Sequence, residues 1–159
     1  MRDEVANELL YFIKNNTPEF FEKLVVQLIV AMGYGGSVKE AGKATQTTAD
    51  EGIDGVIKED RLGLDVIYLQ AKRWEGIVGR PEIQKFVGAL HGQRAKKGVF
   101  ITTSHFSKEA LDYVGQIDPK VVLIDGADLV QLMIDHGVGV SSVAMYEVKK
   151  VDSDFFIED

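Results

Sequence analysis

The sequence predicts one α/β domain, a mixed sheet flanked by helices in a single layered architecture. Three observations predict it. The 159 residues are 45% hydrophobic and 27% charged, the balance of a globular chain with a sizeable core and the length of one domain. From residue 53 onward the apolar periodicity changes in the order β-β-α-β-α-β-α. The stretch 64–73 is mostly apolar on both faces, as a central strand covered on both sides must be.

Residues 3–15 read as a first helix, with Val5, Leu9, Phe12 and Ile13 at helical spacing and Asn15-Asn16 closing it. Thr17 reads as an N-cap, with Pro18 at the first helical position and Glu19 in the first turn. The helix it opens carries Phe21, Leu24, Val25, Leu28, Ile29 and Met32 as an i, i+3, i+4 stripe, and Gly33 ends it. Residues 33–52, rich in Gly, Thr and charge, read as loop with a short strand near 37–41. Strands are expected at 53–58 and 64–73, joined by the turn-like 59–63. Pro81 opens a helix that turns Ile83, Phe86, Val87 and Leu90 toward the core. A strand at 99–103 precedes a helix capped by Ser107 and carrying Ala110, Leu111 and Val114. A strand at 120–124, a helix at 127–136 and a last strand or extended segment at 143–148 complete the order. No repeat, low-complexity tract or linker interrupts it.

Composition removes several function classes. The absence of cysteine excludes a disulfide framework and thiolate metal sites. No apolar run approaches the roughly 20 residues of a membrane span. Met1-Arg2-Asp3-Glu4 lacks the layout of a signal peptide, so a cytoplasmic protein with no membrane partner is expected. The formal net charge of −7 is unevenly spread. Residues 72–97 carry seven bases against two acids, whereas residues 50–65 carry six acids against two bases. The final stretch from Glu147 is acidic again. A basic block beside an acidic one fits an anion-binding surface next to a metal site, and equally a solvated charged face.

Common catalytic constellations are missing. Gly42-Lys43 looks like part of a phosphate loop, but Ala44 follows where Ser or Thr is required. His91, His105 and His136 are too dispersed for a metal cluster, and no G-x-S-x-G elbow occurs. What remains is Asp54-Gly55 followed by Tyr68-Leu69-Gln70-Ala71-Lys72. Strand residues two apart share a face, so Gln70 and Lys72 project together. Hairpin pairing of the two strands brings Asp54 toward Gln70. A carboxylate, an amide oxygen and a lysine converging at a strand end suit Mg²⁺ and phosphate chemistry. The bland alternative is an aspartate capping a turn and a lysine ending a strand.

The segment Phe21-Glu22-Lys23-Leu24-Val25 with Met32-Gly33-Tyr34-Gly35-Gly36 resembles the opening of the Mrr-type restriction endonuclease catalytic domain, a branch of the PD-(D/E)XK nuclease superfamily. So do Gly52-Ile53-Asp54-Gly55-Val56-Ile57 and Leu64-Asp65-Val66-Ile67-Tyr68-Leu69-Gln70-Ala71-Lys72-Arg73. The run from Gly79 to Leu90 and Val99-Phe100-Ile101-Thr102-Thr103-Ser104 continue the match in order. The resemblance implies a restriction-endonuclease-like three-layer α/β/α fold with a central mixed sheet. It implies one nuclease domain over 1–159, with 1–16 as an N-terminal helix, 17–150 as catalytic core and 151–159 as an acidic tail. By the same resemblance Asp54 is the metal-binding aspartate, Gln70 replaces the usual Glu or Asp, and Lys72 is the catalytic lysine. Asp54, Gln70 and the Ala71 carbonyl would hold Mg²⁺, with Mn²⁺ as a substitute. Glu22 resembles the first-helix acid that contributes to metal or water binding. Arg73, Arg80 and Lys85 are expected on the DNA backbone, with Gln84 supporting the site.

Two departures stand out. Glu51 adds a carboxylate where the family pattern is glycine-rich. Only a short helix precedes Thr17, which leaves target recognition absent, weak or supplied by a separate domain. The implied function is a metal-dependent endonuclease similar to type IV restriction enzymes. The alternatives are a repair or recombination nuclease on branched DNA, and a non-catalytic DNA-binding or oligomerisation domain. One site cuts one strand, so a homodimer or higher homo-oligomer is expected for double-strand breaks.

Overall fold

A computed structural model describes residues 1–49 and 52–158. Helix α1 spans Arg2–Lys14 and α2 spans Pro18–Ala31. Thr17 caps α2 through its side chain, which accepts the Phe20 N–H at 3.1 Å, and Pro18 occupies the first turn. A short helix α3, Val38–Ala44, leads into strand β1, Thr45–Thr47. Strands β2 (Gly52–Lys58) and β3 (Val66–Lys72) form a hairpin. Helix α4 (Arg80–Gly92) crosses to β4 (Lys97–Thr102), and α5 (Lys108–Val114) crosses to β5 (Lys120–Ile124). Helix α6, Gly126–Asp135, follows.

The sheet order is β1-β2-β3-β4-β5. Its first three strands pair antiparallel and its last three parallel, so β3 is the central strand where the two patterns meet. Alternation along β3 sorts the core into two layers. Ile67, Leu69 and Ala71 face α1, α2 and α6, together with Phe21, Leu28 and Leu129. Tyr68 faces the opposite layer, built from Phe86, Ile83 and Leu90 of α4 and Ala110 of α5, with Phe100 of β4. Helices on both faces of a mixed sheet make the three-layer α/β/α arrangement expected from the sequence.

Four local expectations fail. The short strand near 37–41 is the start of α3, because Ser37 accepts the Glu40 N–H at 3.1 Å and winds the chain. The edge strand β1 lies instead at 45–47, within the stretch read as loop. In α1 the buried residues are Ala6, Leu9 and Ile13, while Val5 and Phe12 face solvent. The stripe is rotated because α1 packs against α6 along a narrow seam. Residues 143–148 form no strand among the described residues: no neighbouring strand pairs with them, and β-propensity alone makes no ladder.

Candidate active site

The β2–β3 register sets Asp54 opposite Gln70 and Gly52 opposite Lys72. Gly52, Asp54, Tyr68, Gln70 and Lys72 therefore share the face that α4 and α5 cover. The structure thus brings together the three residues on which the sequence reading centred.

The Asp54 carboxylate is half-buried. Its Oδ2 accepts a hydrogen bond from the Tyr68 hydroxyl at 3.0 Å. Its Oδ1 is enclosed and has no hydrogen-bond partner among the described residues. Burial, and then the Asp54 hydrogen bond and charge, push the Tyr68 hydroxyl up to about 12, so it remains a donor at neutral pH. A cavity of about 280 Å³ opens beside the pair, lined by Asp54, Tyr68, Thr45, Gln46 and Gln93.

Glycine at position 52 shapes the same place. A Cβ there would collide with the Ala71 carbonyl oxygen. Residue 52 lies on the Asp54 face, so its missing side chain leaves space for that oxygen. Asp54 Oδ1, with no hydrogen-bond partner among the described residues, then stands across the strand pair from Gln70 and next to the Ala71 carbonyl's strand position. Hard oxygen donors of this kind, with water filling the remaining positions, fit a small divalent cation.

Lys72 is only 7% exposed although it carries a charge. Its Nζ lies 3.6 Å from Glu82 Oε2 and 4.6 Å from the centroid of the Trp74 ring. Both neighbours come from the crossover that follows β3. The buried Thr103 hydroxyl donates to the Trp74 carbonyl at 2.9 Å, and the Ser104 hydroxyl donates to the Gly76 carbonyl at 2.6 Å. These bonds satisfy the buried hydroxyls and pin the loop that carries Trp74. Glu82 stands in the first turn of α4, where the helix dipole favours an acid.

The other expected residues are spread more widely. Glu22 is half-buried on α2 and lines a cleft of about 350 Å³ with Thr47 and Ile53. Ile53 points to the α2 side of the sheet, away from the Asp54 face. Burial, with Glu19 nearby, raises the Glu22 carboxyl above the usual carboxylate range. No hydrogen bond or ion pair joins Glu22 to Asp54, Gln70 or Lys72 among the described residues. Arg73 donates to the Asn16 carbonyl between α1 and α2. Arg80 sits 5.0 Å from the Tyr113 ring centroid. Lys85, exposed on α4, lies 3.4 Å from Glu82 Oε1, and Gln84 is exposed beside it. Glu51 lies outside the described residues.

Sequence reasoning missed Tyr68, Trp74 and Glu82. Tyr68 left a signal, since it stands two residues before Gln70 and shares its face. Trp74 and Glu82 left none, because their approach depends on how the crossover docks.

The Mrr catalytic-domain family model, described as a restriction endonuclease, matches residues 13–133. The type IV methyl-directed restriction enzyme EcoKMrr of Escherichia coli (strain K12) is 48% identical over 156 residues, 98% of this chain and 50% of that protein. The chain spans about half the length of that curated relative. Among solved structures, the DNA modification-dependent restriction endonuclease AspBHI superposes with a TM-score of 0.62 at 20% identity, covering 85% of this chain and 36% of that one. The MspJI restriction endonuclease, solved in complex with a 27-mer oligonucleotide, superposes with a TM-score of 0.56 at 20% identity, covering 83% and 31%. At this identity the two structures establish a shared fold, the restriction-endonuclease-like α/β architecture.

Proposed function

The chain belongs to the Mrr-type restriction endonuclease family, and from that premise we propose a metal-dependent endonuclease domain that hydrolyses phosphodiester bonds of modified DNA. The observation that carries the proposal is the cross-strand pair Asp54–Gln70 with Lys72 beside it and Asp54 Oδ1 without a hydrogen-bond partner among the described residues. A chain that only bound DNA would gain nothing from an enclosed, unsatisfied carboxylate oxygen at a strand pair.

Asp54 Oδ1, the Gln70 amide oxygen and the Ala71 carbonyl would hold Mg²⁺, or Mn²⁺ in its place. When bound, such an ion lowers the pKa of water and offsets charge on the phosphoryl oxygens. Lys72 would orient the attacking water and donate to a phosphoryl oxygen as charge builds on it. Glu82 and Trp74 confine the Lys72 ammonium, so little reorganisation is needed when the phosphate arrives. Arg73, Arg80, Lys85 and Gln84 are the side chains proposed to position the backbone, a contact without base information. Glu22 would add a carboxylate from the cleft on the α2 side. The proposed setting is the cytoplasm.

Incubation with methylated, unmethylated and branched DNA, in Mg²⁺ or in EDTA, tests the reading. Nicking of methylated duplex is expected in Mg²⁺ and none in EDTA. Asp54→Ala and Lys72→Ala should each lose about 100-fold or more in nicking rate, with unchanged circular dichroism. Binding without nicking would make this a non-catalytic domain, and preference for branched DNA would make it a repair nuclease.

A further inference from the structure

We propose that Tyr68 is a positioning residue for the cation, turning the Asp54 carboxylate so that Oδ1 rather than Oδ2 meets the ion. The inference rests on Asp54 being a metal ligand and adds the residue that presents it.

A carboxylate has two chemically equal oxygens, and its terminal torsion is broad and roughly two-fold. Nothing in an isolated aspartate tells one oxygen from the other. Here they are distinct: Oδ2 accepts from the Tyr68 hydroxyl at 3.0 Å, and Oδ1 is enclosed with no donor among the described residues. A buried acceptor left unpaired is disfavoured, and an oxygen-seeking cation removes that cost. The neutral phenol satisfies one oxygen without adding a charge that would compete with the ion.

Tyr68 is itself held firmly. It is 3% exposed, and its ring stacks on Phe86 at 5.3 Å. Its strand position is opposite Val56, two residues from the Asp54–Gln70 pair, so the hydrogen bond is a diagonal fixed by strand register. On the other side β4 presents Gly98 opposite Tyr68. The donor therefore rests on sheet and helix packing, and it gives the carboxylate a fixed orientation. Hydrogen-bonded partners of ligating groups of this kind typically carry 10- to 100-fold in metal affinity.

Tyr68→Phe removes the donor and keeps the ring. The experiment uses the whole chain carrying Lys72→Ala, bound to a DNA duplex, so that Mg²⁺ binding is read by calorimetry without cleavage. Adding Tyr68→Phe should weaken Mg²⁺ affinity about 10-fold. The same change should leave the circular dichroism spectrum in EDTA unaltered. Unchanged or tighter Mg²⁺ binding would overturn the proposal and reduce the hydrogen bond to a core contact. An added Asp54→Asn substitution serves as the control. If it leaves Mg²⁺ binding intact, the metal-ligand reading of Asp54 fails. If it abolishes binding while Tyr68→Phe does not, the role of Tyr68 alone is wrong.

Discussion

At the residue scale, Gln70 decides how the site handles charge. A neutral amide opposite Asp54 leaves one carboxylate in that cross-strand pair, with only Glu22 or Glu51 to add another near the proposed ion. At an effective dielectric of about 20, one further charge at a few Å is worth on the order of several kcal/mol before desolvation. The free protein should hold Mg²⁺ weakly and tighten when a DNA phosphate contributes its own negative charge, a positive coupling of the two ligands. Gln70→Glu should raise Mg²⁺ affinity without DNA by about 10-fold or more and shrink that coupling. It should also destabilise the metal-free chain, because two carboxylates would then stand directly across the strands. Calorimetry of Lys72→Ala with and without Gln70→Glu, each alone and with duplex, measures both effects. Equal affinities throughout would remove Gln70 from the ligand set. Asp54, Gln70 and Lys72 were legible in the sequence because hairpin pairing and two-residue alternation are local rules. The Tyr68 hydroxyl bond needed the diagonal across the register, and the nearness of Glu82 to Lys72 needed the third dimension.

At the scale of elements, α4 joins the site to the core. Its first turn brings Glu82 to Lys72, and one turn later Phe86 stacks on Tyr68 and meets Phe100 edge-on at 5.4 Å. This close docking depends on Gly98 of β4. A Cβ there would lie 2.6 Å from a Leu90 methyl and 2.8 Å from the Phe86 ring. Gly98→Ala should therefore destabilise the chain by about 1–3 kcal/mol through overpacking, measurable by urea denaturation. A loss below about 0.5 kcal/mol would mean that α4 can shift outward freely. The major elements were readable from caps and periodicity, as Thr17-Pro18 and the Phe21-to-Met32 stripe show. Short elements were not. Seven-residue α3 and three-residue β1 carry too few residues to display a period, and which face of α1 is buried depends on α6.

For the whole molecule, the sheet separates two tasks. The α1, α2 and α6 side is a continuous apolar layer, and the opposite side combines a second apolar layer with the proposed chemistry. Each chain offers a single Asp54–Gln70–Lys72 face, so cutting both strands of a duplex calls for two chains, most simply a homodimer. Sedimentation with and without duplex should show the dimer at least when DNA is bound. A strict monomer that makes double-strand breaks in single encounters would contradict this. The resemblance visible in the sequence reached the architecture correctly, because the α4 and α5 crossovers set β3, β4 and β5 side by side in parallel. The resemblance stops well before 143–148, whose exposed side chains meet no partner strand among the described residues. Asp54, Gln70 and Ala71, with Tyr68, Trp74 and Glu82 beside them, lie between Gly52 and Glu82 on one hairpin and the crossover after it. Genetic exchange of that single uninterrupted span would carry the chemistry from one relative to another as a heritable unit.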